Sequence, residues 1–206
     1  MTSRLTELIG ATAELCRAAC GRTALPVTEL IQDRLTRFPN ITPSSVRQMK
    51  DVEFTATLLL FIELGEKSLS QTDLDEAFSE RDAEWDARQT TAQAFENVVS
   101  FIEKLTKGTK GKELARTRLK NQADFYGLFA AVHELQKNQK LRESRVKRIR
   151  EELLKFMDQV QTGSERDQNS AVKAYYDAAR SASNDAGPRR VRIDTLKDVV
   201  ARAQRR

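Results

Sequence analysis

Apolar residues recur along this chain with the 3.6-residue period of amphipathic helices and show little of the alternation expected of strands. Residues 3–19 place Leu5, Leu8, Ile9, Thr12 and Leu15 on one face and read as a first helix. Residues 27–38 read as a second, ended by Pro39 and the turn-rich stretch PNITPSS. A third is expected from about Val46 to Leu64, capped by Ser44 or Ser45 and stopped by Gly65. Its middle, TATLLLFI, is apolar on nearly every side and predicts a central buried helix. A short helix follows over Asp73 to Arg81. A longer one runs from about Glu84 to Lys107, with Phe95, Val98, Val99, Ile102 and Leu105 at clean helical spacing.

The C-terminal half continues the pattern. Over 122–136, Phe125, Leu128, Phe129, Val132 and Leu135 make a core stripe with His133 at its edge. From Ser144 to Gln161, Val146, Ile149, Leu153, Phe156 and Val160 repeat with 3,4,3,4 spacing. That spacing is compatible with a short coiled-coil seam for a partner helix, but it better suits a bundle helix packed on its own neighbours. Helices over 166–183 and 189–204 are separated by SNDAGP, where Gly187 and Pro188 break one and start the next. The expected fold is an all-α bundle of eight to nine helices in two subdomains, residues 1–106 and 113–206. Between them KGTKGK (107–112) reads as a flexible, solvated loop. It is no phosphate-binding P-loop, because the first glycine of that motif is replaced by Thr106 and no buried strand precedes it.

Composition supports this and narrows the function. Eight glycines and four prolines in 206 residues are too few for the turns of a β-sandwich. The longest apolar run, Leu58 to Ile62, is far too short to cross a bilayer, and the N-terminus lacks the pattern of a secretory leader. The expected setting is a reducing cytoplasm. Cys16 and Cys20, the only cysteines, read as two small residues on one helix face. His133 is the only histidine, so nothing completes a zinc site. Asp73, Asp75, Glu76, Glu80, Asp82, Glu84 and Asp86 form a dense acidic stretch that reads as a solvated face rather than a metal site. No G-x-S-x-G, H-E-x-x-H or glycine-rich dinucleotide turn occurs, so the expectation is a protein that is not an enzyme and needs no cofactor or metal.

Charge changes the picture more. Residues 1–99 hold 10 Lys/Arg and 16 Asp/Glu, net −6, whereas residues 100–206 hold 25 and 14, net +11. The excess sits in three clusters, at 104–120, 137–150 and 189–206, and three cationic clusters in one half point to phosphate neutralisation. The candidate nucleic-acid-binding residues are Lys107, Lys110 and Lys112 from the first, Arg145 and Arg148 from the second, and Arg189, Arg190 and Arg192 from the third. Few aromatics are interleaved, so contact with the DNA backbone is expected rather than reading of bases. Arg189, Arg190 and Arg192 fall in the first turn of the expected last helix, where cations oppose the helix dipole. Either an outside phosphate answers them or they pair internally.

Two stretches carry a resemblance. RQMKDVEFTATLLLFIELGEKSLSQTDLDEAF (47–78) is similar to the pattern R-M-K-D-x-E-F, apolar helix, short gap, L-D-x-x-F/Y of GmrS-like proteins, prokaryotic factors of type IV restriction and phage defence. YYDAARSASNDAGPRRVRIDTLKDVV (175–200) resembles the helix–turn–helix that closes the same helical region, with its F/Y-Y-x-A-x-x-x-A-T/S opening and R-x-x-R-I-x-x-L closing pattern. Such proteins join a ParB-like nucleotidase domain, marked by D-G-Q-Q-R, to a helical region of about this length, and some add an HNH nuclease domain. This chain contains no D-G-Q-Q-R, so the family's nucleotide hydrolysis passes to no residue here. The resemblance implies the helical part alone, as a fragment or a separate subunit, contacting DNA backbone and holding a nucleotidase or nuclease partner.

Overall fold

In a computed structural model of the chain, residues 38–48, 50–66, 72–73, 76–77, 85–138, 141–181 and 185–205 are described. The helix expected over 3–19, all but the last residue of that over 27–38, most of that over 73–81, both cysteines and most of the acidic stretch lie outside them. Among the described residues there are nine α-helices and no strand, the all-α class that the periodicity predicts. They divide into two units, Met1–Glu96 and Asn97–Arg206.

In the first unit, α1 (Pro43–Arg47) starts one residue after Thr42, whose side chain accepts a hydrogen bond from the Ser45 N–H at 3.1 Å. Thr42 is thus the cap in place of Ser44 or Ser45, because Pro43 occupies the first helical position, where its missing N–H costs nothing. The chain leaves the helix at Gln48, and α2 (Lys50–Leu64) is a separate element where one helix was expected. Leu58, Leu59, Leu60 and Phe61 are all buried in succession, as the all-round apolar pattern requires. Gly65 ends α2 with φ +72°, a conformation that suits glycine. Near that end the Glu63 carboxylate accepts from Trp85 Nε1 at 2.6 Å and Thr91 Oγ1 at 2.9 Å. This ties α2 to the start of α3 (Arg88–Thr106).

The division between units falls at Glu96/Asn97, inside α3, and not at 107–112 as expected. The reason is local. Residues 107–112 form a tight corner rather than a flexible loop. Gly108 takes φ +80° and ψ −177°, and α4 (Thr109–Arg116) begins immediately after it. Gly111 lies against the end of α3, where a Cβ would come within 2.2 Å of the Thr106 carbonyl carbon. Both glycines are needed for the turn, so α4 is continuous in packing with the second unit.

That unit is built around α5 (Gln122–Asn138), reached through the 3₁₀ turn Arg118–Lys120. Its expected stripe is buried, and so are Tyr126, Ala130 and Ala131, which makes α5 a central helix. The last helix, α9 (Ala186–Arg205), packs on α5, α6 (Val146–Gln161) and α8 (Ser170–Ala178). Gly127 lets α5 and α9 approach, since a Cβ there would lie 3.3 Å from Leu196 Cδ1. The five-residue stripe of α6 is wholly buried, with Met157, against its own unit. Phe156 meets Tyr175 edge to face at 5.2 Å. Burial of side chains of this size is worth about 1.5–3 kcal/mol each, and it leaves no seam for a partner helix. The single helix expected over 166–183 is two, α7 (Gly163–Gln168) and α8. Asn169 adopts an extended conformation between them and caps α8 by accepting from Ala171 and Val172 N–H.

Candidate nucleic-acid interface

The eight candidate cations separate into two sets. Because α9 begins at Ala186, Arg189 and Arg190 stand in its second turn, not its first. Arg189, Arg192, Ile193, Leu196 and Val200 share one helical stripe, so the two arginines that lie on it are carried inward with the apolar residues. Arg192 is 1% exposed and Arg189 6%. Arg192 Nη1 donates to the Ala178 carbonyl at 2.7 Å, while Arg118 Nη2 donates to the Ala179 carbonyl at 3.3 Å. Two guanidinium groups thereby satisfy carbonyls at the C-terminus of α8, the end whose dipole favours cations.

A carboxylate offsets these charges. Asp124, 2% exposed, receives Arg118 Nε at 3.1 Å on one oxygen and the Tyr175 hydroxyl at 2.7 Å on the other. Burial, and then the neighbouring Asp124 carboxylate, push the Tyr175 hydroxyl well above its ordinary pKa, so it stays a donor. Burial lowers the Arg192 pKa, opposed by Asp124 and Tyr175. Arg189 lays its guanidinium 4.7 Å from the centroid of the Tyr126 ring. For Arg189 and Arg192 the expectation of a phosphate gives way to internal pairing. The 175–200 motif is an interior lock that closes α8 and α9 onto α5.

Arg190 is more exposed but also engaged. It donates to Asp194 at 2.9 Å and to Glu134 at 3.3 Å, and Lys197 completes the group through Glu134 at 2.6 Å and Asp194 at 3.1 Å. Two cations meet two anions, so this surface is neutral. For Lys197 burial works against the charge, yet its hydrogen bonds to Glu134 and Asp194 outweigh that and raise its pKa. For Asp194 burial is likewise overcome, by Arg190 and Lys197, and the pKa is lowered. His133, beside Glu134, is half-buried at the edge of the α5 stripe. Its pKa is lowered by burial and Lys137 against the pull of Glu134.

The second set lies where α3 ends and α4 and α6 begin. Arg150 of α6 donates to the Leu105 carbonyl at 2.6 Å and the Lys104 carbonyl at 2.7 Å, capping α3. Lys104 pairs with Glu143, and Lys110 with Glu151 at 3.1 Å. These links bring the start of α4 alongside the start of α6. Lys107, Lys112, Arg142 and Lys147 are exposed at this corner, and Arg145 and Arg148 are half-exposed. Residues 104–116 and 142–151 together hold ten Lys/Arg and three Asp/Glu, net +7. Neither α4 nor α6 has an acid in its first turn or a side-chain cap at its start.

No family model, curated protein or solved structure matches this chain. What the corner can do therefore rests on its own geometry, as does the lock. Arg118, Asp124 and Tyr175 were not among the candidate residues, although a lone aspartate opening an apolar helix is a usable signal. Lys147 belongs to the 137–150 cluster but was not among the candidates either; it is exposed in the first turn of α6. Among the described residues no group of His, Cys, Asp or Glu is arranged to hold a metal ion, and no helix is long and apolar enough to cross a membrane.

Proposed function

We propose that the basic unit, Asn97–Arg206, binds the sugar–phosphate backbone of DNA at the corner formed by α3, α4 and α6. The observation that carries this reading is the juxtaposition of two helix starts without acids or caps, both crowded with cations. Each such cation opposes a helix dipole at a cost of about 0.3–1 kcal/mol when nothing anionic answers it. A phosphate answers both the cations and the positive ends of the two helix dipoles. Lys107, Lys112, Arg145, Lys147 and Arg148 make the contacts, with Lys110 shared between Glu151 and the phosphate. Binding is independent of base sequence, since the corner offers cations and no aromatic or amide side chains to read base edges. The likeness of 47–78 and 175–200 to GmrS-like proteins supports a cytoplasmic setting in phage defence, in which the chain is a helical accessory to a nucleotidase or nuclease partner.

Anisotropy of a labelled duplex of about 20 base pairs, titrated from about 50 to 300 mM salt, tests this. Four or five phosphate contacts give a log–log slope of roughly −3.5 to −4.5, the same for unrelated sequences. Absence of binding at the lowest salt, or a slope near zero, removes the proposal.

A further inference from the structure

A second feature of the basic unit is independent of the corner. A half-open cleft of about 240 Å³ lies between α6, α8 and α9. Phe156, Val172 and Val199 supply its apolar surface, and Glu152, Lys155 and Arg202 its charges. In the Arg190–Asp194–Lys197–Glu134 group of this unit the opposite charges pair. In this cleft they do not. Glu152 and Lys155 stand one turn apart on α6 and both line the cleft, yet neither forms an ion pair with the other or with Arg202. Arg202 hydrogen-bonds only within its own helix, from Nε to the Asp198 carbonyl at 3.2 Å. Glu152 is half-buried, so it is left without an ionic partner where water is already partly displaced.

We infer that this cleft binds a free α-amino acid with an apolar side chain. Two cations and one anion match a ligand whose carboxylate meets Lys155 and Arg202 and whose ammonium meets Glu152. The apolar body then covers Phe156, Val172 and Val199. The one-turn spacing of Glu152 and Lys155 suits the short separation of the two charges of a zwitterion. Size agrees with charge. At about 240 Å³ the cleft is below the roughly 300 Å³ at which pockets for larger ligands begin, which suits a ligand of leucine or phenylalanine size.

The test is a titration of the ¹⁵N-labelled chain with L-phenylalanine and with L-leucine, followed by amide chemical shifts. The expected result is saturable shifts clustered on residues 152–159, 169–172 and 199–202, at millimolar affinity or tighter. 3-Phenylpropionate, which lacks the ammonium, and phenethylamine, which lacks the carboxylate, each bind roughly fivefold to tenfold more weakly. Glu152→Gln removes the preference for phenylalanine over 3-phenylpropionate, while Lys155→Gln with Arg202→Gln weakens both acids. These side chains are at the surface, so unchanged circular dichroism confirms each variant is folded. Shifts that never saturate, that scatter away from the cleft, or that are equal for phenylalanine and phenethylamine overturn the inference. Lys107→Gln with Lys147→Gln leaves amino-acid binding unchanged, so failure of the DNA reading and failure of this one are separable.

Discussion

The arginines at the start of α9 and the lysines at the corner of α4 and α6 both form dense cationic runs in the sequence, yet they end in different environments. Arg189 and Arg192 are buried, the latter against the Ala178 carbonyl, and Arg190 is neutralised by Asp194 and Glu134. Lys107 and Lys147 stand in solvent beside helix starts that carry no acid. The difference comes from the stripe each cation shares. An arginine in phase with Ile193 and Leu196 is drawn inside and must find acceptors there, whereas a lysine out of phase stays on the surface. Cationic density therefore identifies an anion site only after the helix phase has been read.

The sharpest break of this comparison is at Asp124. Asp124→Ala leaves Arg118 and the Tyr175 hydroxyl without their carboxylate in the interior, and a loss of about 3–5 kcal/mol in unfolding free energy is expected by denaturant titration. DNA affinity measured where the variant is still folded stays unchanged. At the corner, Gly111→Ala drives a Cβ into the Thr106 backbone and costs about 2–3 kcal/mol. Here DNA affinity falls too, because α4 is displaced from α6. Tyr175→Phe keeps the Phe156 ring contact but removes one donor from a buried carboxylate, for a loss of about 1.5–2 kcal/mol by the same titration.

The smallest effect belongs to the surface group around Arg190. Arg190→Ala costs less than about 1 kcal/mol and its effect shrinks at high salt. The pH dependence follows from Asp194, whose folded pKa lies below its ordinary value of 3.8. The unfolded chain takes up the proton first on acidification. The contribution is therefore fully present above the ordinary value and lost as pH falls through the folded one. Thermal melts of the wild type and Arg190→Ala that converge at the acid end of such a series match this; melts that diverge there do not.

Helix stripes were legible from the chain because they are local. The apolar positions of α3, α5 and α6 are buried where their spacing says. Boundaries were less so. Pro43 moved a cap to Thr42, and Asn169 broke a helix because its side chain bonds the next two amides. The glycines of 107–112 suggested a loose loop, since glycine serves both loops and close approaches. Only the nearness of the Thr106 backbone distinguishes the two. The burial of Arg189 and Arg192 was legible in their phase with Ile193, but the carbonyls that receive Arg192 and Arg118 belong to the end of α8, far along the chain. No local pattern reveals such an acceptor.

The division of labour between the two sets of cations is tested most directly by following DNA affinity against salt, alongside thermal melting, for three proteins: wild type, Lys107→Gln with Lys147→Gln, and Arg192→Met. The lysine pair is expected to flatten the log–log salt slope by up to about two units with no change in melting temperature. Arg192→Met is expected to lower the melting temperature and leave the slope of the folded protein as in the wild type. A slope untouched by the lysine pair, or flattened by Arg192→Met at a temperature where that variant is folded, contradicts the account.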